Sequence, residues 1–342
     1  MRILLTADPL LPVPPAGYGG IERIVDALVR FYRAQGHDVG LLAHPASTSP
    51  ATARFRWPAT SPVPTWDALR KTCALWRTAR RFQPDIVHSF SRLGYLTPRL
   101  AGRRPTVMSY QRHTGPRQIA RAVRLGGRSI HFTGCSEFIC SLGRPGGGDW
   151  TAIPNFVETD RIDFVPAVAA DAPLLFLSRV ESIKGADLAI AVARQAGRRL
   201  LIAGNHATTG SEAGYWNEKI APQLGRDGIE YVGEVGDAQK NTLLGGAVAL
   251  LVPIRWDEPF GIVFAEALAA GTPVVSCARG ALPEIITPGR TGFFMTGVDD
   301  GVTAVRRLPE LDRALCRSEA EARFSLGVCG RQYLELYARC LQ

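Results

Sequence analysis

The chain has 342 residues, of which 46% are hydrophobic and 21% are charged, and its formal net charge is +9. This composition excludes a largely disordered protein, and the length suits two domains of about 150 residues each. The basic balance permits a phosphorylated small molecule, a nucleic acid or an anionic membrane as partner and does not choose among them.

The seven cysteines are odd in number and show no CxxC or paired-ligand spacing. This pattern predicts free thiols in a reducing compartment rather than disulfides or a zinc site. The N-terminal apolar run is too short for a signal peptide, and no apolar stretch reaches the roughly 18 to 20 residues that span a bilayer. We therefore predict a soluble, cytoplasmic protein.

The first half of the chain alternates short apolar runs with amphipathic segments, which is typical of a parallel sheet with helical crossovers. The predicted strands are 2–7, 38–44, 85–90, 106–111 and 129–136. The predicted helices are 19–35, 66–82, 93–101, 116–126 and 136–143. A proline-rich segment, 45–64, interrupts the alternation and is predicted to be a surface excursion.

The second half restarts the alternation after a polar, Ala/Pro-rich stretch. Its predicted strands are 174–179, 199–204, 229–233, 248–253 and 273–277, and the last segment, 316–342, has a helical pattern. We predict an α/β protein with two doubly wound domains, 1–160 and 174–325, joined by a linker at 161–173. Ligands of such sheets bind at the carboxyl ends of the strands, so we expect a site in the cleft that these ends face.

A glycine pair, Gly19-Gly20, precedes the first amphipathic helix. Small residues at a helix start let an anion approach the free backbone N–H groups, although a loose turn would have the same composition. A nicotinamide site fits poorly, because GYGG is not G-x-G-x-x-G and the second strand ends without an acidic residue.

Two cations lie at or just after the carboxyl end of the first strand of the second half. Arg179 lies at the carboxyl end of that strand, and Lys184 lies just before the next helix. Such a pair can neutralise a diphosphate that gains charge as it leaves a sugar. The alternative is two solvated surface charges.

The stretch WDEPFGIVFAE holds two carboxylates, Glu258 in a loop and Glu266 in the following helix. Eight helical residues rise about 12 Å, which exceeds the roughly 5 to 9.5 Å between the carboxyl groups of a glycosidase pair. The spacing instead suits two acceptors for hydroxyl groups at the ends of one elongated ligand, with a phosphate at the helix N-terminus between them. A nucleotide sugar has this form, whereas the alternative is an acidic loop residue and an exposed helix residue without function.

Seven motifs together carry a resemblance to a known family. They are GYGGIERIV, DIVHS, CSEF, IPNFVETDRI, SRVESIKG, VGEVGD and the long block EPFGIVFAEALAAGTPVVSCARGALPEIITPGRTGFF. In these motifs the chain resembles the retaining glycosyltransferases of family four. The resemblance implies the GT-B architecture, with two Rossmann-like domains facing a central cleft and a last helix, 326–342, that crosses back to the first domain.

The resemblance also assigns roles to the two carboxylates. Glu266 would bind the ribose hydroxyls of the nucleotide, and Glu258 would face the donor sugar. The backbone of Phe260, Gly261 and Ile262 would contact the sugar and the phosphate.

Further donor contacts follow from the same resemblance. Arg179 and Lys184 would hold the diphosphate, which Gly19-Gly20 would approach from the first domain. Gly233 to Val235 would lie along the base. The resemblance implies no metal and no cofactor, because the charges that the leaving diphosphate needs are built into the chain.

The chain departs from the family pattern at several positions. The position at the end of strand 106–111 where the family usually has a histidine holds Gln111, with His113 two residues later. We assign the role to His113, with Gln111 as the alternative. The usual Pro-Asn-Gly ends in Phe156, and Ile254 replaces a serine beside the expected sugar site. His88 matches a family position but can be structural.

The function implied is metal-independent transfer of a hexosyl or pentosyl group, with retention, from a nucleotide diphosphate sugar to an acceptor hydroxyl. A UDP-sugar is the favoured donor, and a small natural product, as in antibiotic biosynthesis, is the favoured acceptor. The alternatives are a nucleotide-sugar epimerase or phosphorylase of the same fold, a non-catalytic sugar-nucleotide sensor and a membrane-associated glycolipid glycosyltransferase. Nucleic-acid binding is not expected, since no motif supports it.

The segment 66–82 is both basic and amphipathic. Trp66, Leu69, Cys73 and Trp76 recur at helical spacing among arginines. Such a helix can rest on an anionic membrane, but we predict a crossover helix with a solvated basic face.

Overall fold

The computed structural model describes residues 1–17, 19–100, 102 and 104–342. The chain divides into two compact units, Met1–Phe156 together with Leu326–Gln342, and Val157–Ser325. Tyr18 of the GYGG motif and Ala101 at the end of the helix predicted over 93–101 lie outside the described residues.

The first unit contains a parallel sheet of seven strands in the order β3-β2-β1-β4-β5-β6-β7. The strands are β1 (Arg2–Thr6), β2 (Asp38–Ala43), β3 (Ala53–Arg56), β4 (Ile86–Ser89), β5 (Thr106–Tyr110), β6 (Ile130–Gly134) and β7 (Asp149–Ala152). The helices are α1 (Gly20–Ala34), α2 (Pro64–Phe82), α3 (Thr97–Leu100), α4 (Pro116–Gly126), α5 (Glu137–Gly143) and the C-terminal helix (Leu326–Cys340).

The second unit contains a parallel sheet of six strands in the order β10-β9-β8-β11-β12-β13. The strands are β8 (Leu174–Leu177), β9 (Leu200–Ala203), β10 (Ile229–Gly233), β11 (Ala249–Val252), β12 (Val274–Ser276) and β13 (Gly292–Phe294). The helices are α6 (Ala186–Gln195), α7 (Gly210–Tyr215), α8 (Asp237–Gly246), α9 (Ile262–Ala269), α10 (Leu282–Ile285), α11 (Val298–Arg306) and α12 (Arg313–Phe324).

Each unit is a doubly wound, Rossmann-like α/β fold, as predicted. In the second unit the chain order reverses between β8 and β11, which are hydrogen-bonded neighbours. The central strands are apolar because helices cover both faces of a parallel sheet. All four residues of β8 and of β11 are buried, so chemistry at this sheet must come from the loops at the strand ends.

Three short strands were missed by the sequence prediction. The segment 45–64 is not merely a surface excursion, because it contains the edge strand β3 and the buried Trp57, whose Nε1 donates a hydrogen bond to the Ala7 carbonyl at 2.9 Å. β7 and β13 have four and three residues at or near the sheet ends. Runs this short carry too little periodicity to be recognised.

The helical pattern at 316–342 was predicted as one segment, but the structure contains two helices there. Ser325 adopts an extended conformation between α12 and the C-terminal helix. The division between the two units falls at the same place, so α12 belongs to the second unit and the C-terminal helix to the first.

The segment predicted as a linker packs along the second unit. Arg313 donates to the Val165 carbonyl at 2.7 Å, and Arg317 donates to the carbonyls of Thr159 and Ile162 at 2.9 and 2.8 Å. These bonds from α12 hold the segment in place before β8 begins. Among the described residues, the helices are all too short or too polar to span a membrane.

Candidate active site

The loop from β11 to α9 carries the first carboxylate of the WDEPFGIVFAE motif. Gly261 adopts a φ of +83°, and a Cβ there would lie 2.5 Å from the Phe264 ring. Only glycine therefore suits this turn, which starts α9 at Ile262. Phe260 is buried with its ring 5.7 Å from that of Phe324. The turn leaves the first N–H groups of α9 without helical acceptors, at the carboxyl edge of the sheet.

Glu258 forms an ion pair with Lys184. The Lys184 Nζ lies 2.5 Å from Glu258 Oε2, and each side chain is only 11% exposed. Trp256 Nε1 donates to the same oxygen at 3.0 Å, and the ammonium lies 4.8 Å from the centre of the Trp256 ring. Two residues that were predicted to contact separate parts of a ligand thus form an ion pair with each other.

This pair lies at the switch point of the sheet. Lys184 follows β8 and Glu258 follows β11, the two central neighbours between which strand order reverses. Loops at the carboxyl ends of such strands are the usual ligand sites of doubly wound folds. A buried ion pair adds little stability over apolar packing, so its presence at this edge favours a role in binding.

The loop that carries Lys184 is braced against the loop that carries Glu258. Gly185 has a φ of +77°, and a Cβ there would lie 2.2 Å from the Pro253 carbonyl oxygen. Arg255 makes two hydrogen bonds of 2.8 Å to Asp187, which also accepts from Tyr215 at 2.7 Å. Burial raises the pKa of Asp187, but the bonds from Arg255 and Tyr215 outweigh it and the net pKa is lowered. The Asp187 carboxylate therefore stays charged, and its bonds to Arg255 hold the two loops together.

Glu266 points toward a different cation. Its Oε1 lies 2.5 Å from Lys240 Nζ on α8, and Lys240 also lies 3.2 Å from Asp237. Burial lowers the pKa of Lys240, but the attraction of Glu266 outweighs it, so the net pKa is raised. The sequence analysis did not single out Lys240. Lysine is scarce in this chain, with four in total, and Lys240 lies just after the VGEVGD motif; this combination could have identified it.

The other predicted contacts of the second unit occupy the same edge. Arg179 follows β8 and forms an ion pair with Glu181, with its guanidinium partly exposed. Gly233 ends β10 and its carbonyl accepts from the Gly204 N–H at 2.8 Å. Val235 is partly exposed in the loop before α8.

An aromatic group that the sequence analysis did not single out lies near the end of β10. The rings of His206 and Trp216 stack at 3.8 Å with an interplanar angle of 1°, and the Tyr231 ring meets Trp216 edge-on at 4.7 Å. The group packs the segment after β9 against β10.

Two predicted positions belong to the start of α1 in the first unit. Gly19 caps the helix and Gly20 is its first residue. Glu22 in the first turn is buried, which raises the pKa of its carboxyl group, although a bond from its own backbone N–H lowers it. A carboxyl group therefore already uses part of the N–H array that the sequence analysis assigned to an anion.

The histidine slot of the first unit remains divided between two residues. β5 ends at Tyr110, so Gln111 follows the strand directly, and its amide oxygen and nitrogen are buried without hydrogen-bond partners among the described residues. His113 is exposed, with its ring edge-on to Phe138 at 5.6 Å.

His88 on β4 is part of a buried network. Its Nδ1 pairs with the Tyr337 hydroxyl of the C-terminal helix, and its Nε2 lies 2.6 Å from Ser109 Oγ. Tyr337 also bonds Tyr32 on α1 at 3.1 Å, and Ser109 bonds Thr133. Burial lowers the pKa of His88 to about 3, so the ring is neutral. With both ring nitrogens bonded inside the core, this histidine is structural.

Comparison with known families accounts for both units. The model of Glycosyltransferase Family 4 matches residues 18–161, and the model of Glycosyl transferases group 1 matches residues 160–314. The chain belongs to glycosyltransferase family 4. It therefore has the GT-B fold, with one Rossmann-like unit per family model.

Three relatives illustrate how far the similarity to known proteins extends. AviGT4, a glycosyltransferase involved in avilamycin A biosynthesis, is 28% identical and superposes with a TM-score of 0.73 over 99% of this chain and 98% of that one. Anabaena Alr3699/HepE, solved with UDP, is 19% identical with a TM-score of 0.76, over 99% of this chain and all of that one, which shows the shared fold. The D-inositol 3-phosphate glycosyltransferase of Mycolicibacterium smegmatis is 33% identical over 173 residues, which cover 48% of this chain and 40% of that relative. The matched part thus spans less than half of this curated relative.

Proposed function

We propose that the protein transfers a sugar from a UDP-sugar to a hydroxyl group of a small natural product, with retention of the anomeric configuration. The observation that carries the proposal is the buried Lys184–Glu258 pair at the switch point, with Glu266 eight residues further along the same motif. A pair of opposite charges can give its cation to a phosphate and its carboxylate to a sugar hydroxyl when a donor enters.

The main role proposed for this site is to stabilise the leaving group. As the bond between the anomeric carbon and the diphosphate oxygen breaks, negative charge grows on the phosphate. Lys184, Arg179 and the N–H groups at the start of α9 are the donors proposed to hold it, with backbone from Phe260, Gly261 and Ile262 beside them.

Glu258 is proposed to accept a hydrogen bond from the donor sugar while it keeps Lys184 oriented. The bond from Trp256 leaves the second carboxylate oxygen, Oε1, for that hydroxyl. No side chain is assigned as a dedicated base. The acceptor oxygen forms its bond to the anomeric carbon, and its proton passes to the departing phosphate on the same face, which gives retention.

Glu266 is proposed to bind the ribose hydroxyls, because it lies in α9 about one turn from the N-terminal end that is proposed to hold the phosphate. The bond from Lys240 Nζ uses one of its oxygens and leaves the other for the nucleoside. Gly233 to Val235, at the end of β10, would lie along the base.

The first unit is proposed to contribute the Gly19-Gly20 turn and one residue after β5. His113 is the proposed contact to the transferred sugar, since its imidazole is exposed, and Gln111 is the alternative, since its buried amide has no partner among the described residues. The variants His113→Ala and Gln111→Ala separate the two: the residue that acts will lower the turnover number and the other will not.

Two relatives support the proposed donor and acceptor classes. AviGT4 serves natural-product biosynthesis and resembles this chain over nearly its whole length, which favours a small-molecule acceptor. The fold neighbour Alr3699/HepE was solved with UDP, so UDP is the first nucleotide to test. No metal and no cofactor enters the proposal.

The deciding experiment is nucleotide binding followed by donor turnover. Thermal shifts with UDP, GDP, dTDP and ADP should single out one nucleotide, and Glu266→Ala should abolish that shift. Lys184→Ala should abolish slow hydrolysis of the matching donor. Glu230→Ala and Lys219→Ala are matched controls on exposed residues of the same unit.

Contrary outcomes identify the other functions. If Glu266→Ala and Lys184→Ala both turn over the donor at the wild-type rate, the proposed site is wrong. Conversion of the donor to an epimer without acceptor would indicate an epimerase, and binding without any turnover would indicate a sensor.

A further inference from the structure

The α7 segment, residues 205–220, follows β9 and packs against the turn that presents Lys184. It contains α7 and, directly after it, a π-helical turn, Trp216–Ile220. Such a turn within a longer helix is often found at a functional site. None of the residues that are proposed to contact the donor belongs to this segment, so its role in the site needs a separate explanation.

Glu212 on α7 binds the start of the turn that carries Lys184. That turn is a short 3₁₀ helix, Ser182–Lys184. The Ser182 N–H donates to Glu212 Oε2 at 2.7 Å, and the Ser182 hydroxyl donates to Oε1 at 2.7 Å. Hydrogen bonds that a carboxylate accepts are stronger than those between neutral groups, and the use of both oxygens fixes their direction. Glu212 thus holds the chain two positions before Lys184.

Tyr215, one turn further along α7, binds the other side of Lys184. Its hydroxyl donates to Asp187 Oδ1 at 2.7 Å and accepts from the Asp187 N–H at 3.0 Å. Burial is the largest cause that raises the pKa of Tyr215, so the hydroxyl keeps the proton that it donates. Because positions i and i+3 lie on one face of a helix, α7 uses a single face to hold the chain before and after Lys184.

A third contact ties the α7 segment to the chain next to Arg179. The Val180 N–H donates to the Asn205 carbonyl at 2.8 Å, and Val180 pairs with His206 in a parallel bridge. The His206 ring stacks on the Trp216 ring at 3.8 Å, which holds the start of the segment against the residue that follows α7. The segment therefore contacts neighbours of both cations that are proposed to hold the diphosphate.

We propose that Glu212 is a positioning residue for Lys184: through Ser182 it fixes the turn that holds the ammonium at the leaving phosphate. The inference rests on the proposed function, because the position of Lys184 matters only if it acts on the phosphate. Both Glu212 oxygens accept hydrogen bonds from Ser182, so the carboxylate acts through the turn and not on the substrate. A misplacement of about 1 Å in an active site can cost about 10²-fold in rate.

The turn is also held from the opposite side, so the loss of Glu212 should move it without unfolding it. The Arg255 N–H donates to the Ile183 carbonyl at 2.8 Å, and the Arg255 guanidinium donates to the Ser182 carbonyl at 3.1 Å. These bonds remain when Glu212 is removed. We therefore expect a folded protein in which the Lys184 ammonium keeps its charge and loses its fixed place.

Donor turnover in Glu212→Ala tests the proposal. The turnover number for slow hydrolysis of a UDP-sugar should fall about 10- to 100-fold, while KM and the dissociation constant of UDP change less than about threefold. Glu212→Gln should recover most of the rate, because its amide oxygen still accepts from the Ser182 N–H. Ser182→Ala should lose less than Glu212→Ala, because one of the two hydrogen bonds remains.

The phosphorus resonance of bound UDP shows whether Glu212 acts through Lys184. Lys184→Met should shift the β-phosphate resonance from its wild-type position, and Glu212→Ala should shift it in the same direction. Glu218→Ala, which removes an exposed carboxylate of the π-helical turn, is the matched control and should keep the wild-type resonance and rate. Thermal unfolding shows that each variant is folded. If Glu212→Ala does not fold, Glu212→Gln and Ser182→Ala provide the same comparison.

The results separate this inference from the function on which it rests. If Lys184→Met shifts the resonance and Glu212→Ala leaves both resonance and rate unchanged, the positioning role is wrong and the proposed function stands. Equal losses in Glu212→Ala and Glu218→Ala would also overturn the positioning role. If Lys184→Met leaves the resonance and the rate at their wild-type values, the proposed site is wrong and this inference is wrong with it.

Discussion

Polar side chains are buried at the centre of both sheets, but the two units use them differently. In the second unit they are ion pairs: the buried Lys184–Glu258 pair in the loops after β8 and β11, and the partly buried Lys240–Glu266 pair between α8 and α9. In the first unit they form a neutral chain of hydroxyl and imidazole groups around His88, inside the core. In an ion pair, a charged group of a ligand can replace one of the two partners. In the network around His88 the hydrogen bonds are internal, so the network stabilises the fold. The two units thus differ in whether their buried polar groups are charged or neutral.

The largest effect that the comparison predicts is on catalysis. Glu258→Gln should lower the rate of transfer by about 10²- to 10³-fold, because Lys184 loses the carboxylate that orients it toward the leaving phosphate. The dissociation constant of UDP should change far less. Steady-state kinetics with calorimetric UDP titration measure both quantities. Asp257→Asn, at the adjacent exposed position of the same loop, is the control. An equal fall in the rate of transfer in this variant would show that Glu258 has no specific role.

The first unit should respond in stability instead. His88→Ala should lower the free energy of unfolding by about 3 kcal/mol, because it leaves a cavity and deprives Tyr337 and Ser109 of their partner. UDP binding to the folded variant should be unchanged. Denaturant unfolding measures the loss. A stable variant with no activity would instead place His88 in the reaction.

The pH dependence of stability follows from the same histidine. Its pKa is about 3 in the fold and about 6.5 in the unfolded chain, so the stabilisation is complete above pH 6.5 and is lost as the pH falls toward 3. Between pH 6.5 and 5 the wild type should lose about 2 kcal/mol more than His88→Gln. If the free energy of unfolding changes equally with pH in the wild type and in His88→Gln over this range, the assignment of His88 as a neutral buried group is wrong.

The smallest effect is expected at Lys240. Lys240→Met should weaken UDP binding about fivefold, since Glu266 loses the contact that fixes its carboxylate, while the turnover number stays the same. Lys240→Arg should restore part of the affinity. The exposed Lys219, changed to Met, is the control. A fall in turnover without a change in affinity would assign Lys240 to the chemistry instead.

The sequence predicted the fold well because ten of the strands are apolar runs with clear boundaries. The edge strand β3 was missed since it has only four residues, alternately exposed, within a proline-rich segment. The break at Ser325 was missed because the composition on both sides is helical. Short edges and single-residue breaks are decided by tertiary contacts that local patterns do not record.

The residues of the candidate site were predicted from the sequence, but the ion pairs between them were not. The motif identified Glu258 and Lys184, yet 74 positions separate them, and only the adjacency of β8 and β11 brings them into contact. Lys240 was missed for the same reason, because its partner Glu266 lies on another helix. Ile254, expected beside the sugar, is fully buried, although an exposed arginine follows it in the sequence.

The first unit is built from two distant parts of the chain, and this affects how the protein is made. Tyr337 completes the bonding of His88, yet it leaves the ribosome only after the whole second unit has been synthesised. At about 5 to 20 residues per second, the interval between Phe156 and Tyr337 is about 10 to 35 s. During that time the second unit, which is continuous, can fold alone, while the N-terminal sheet waits for its last helix.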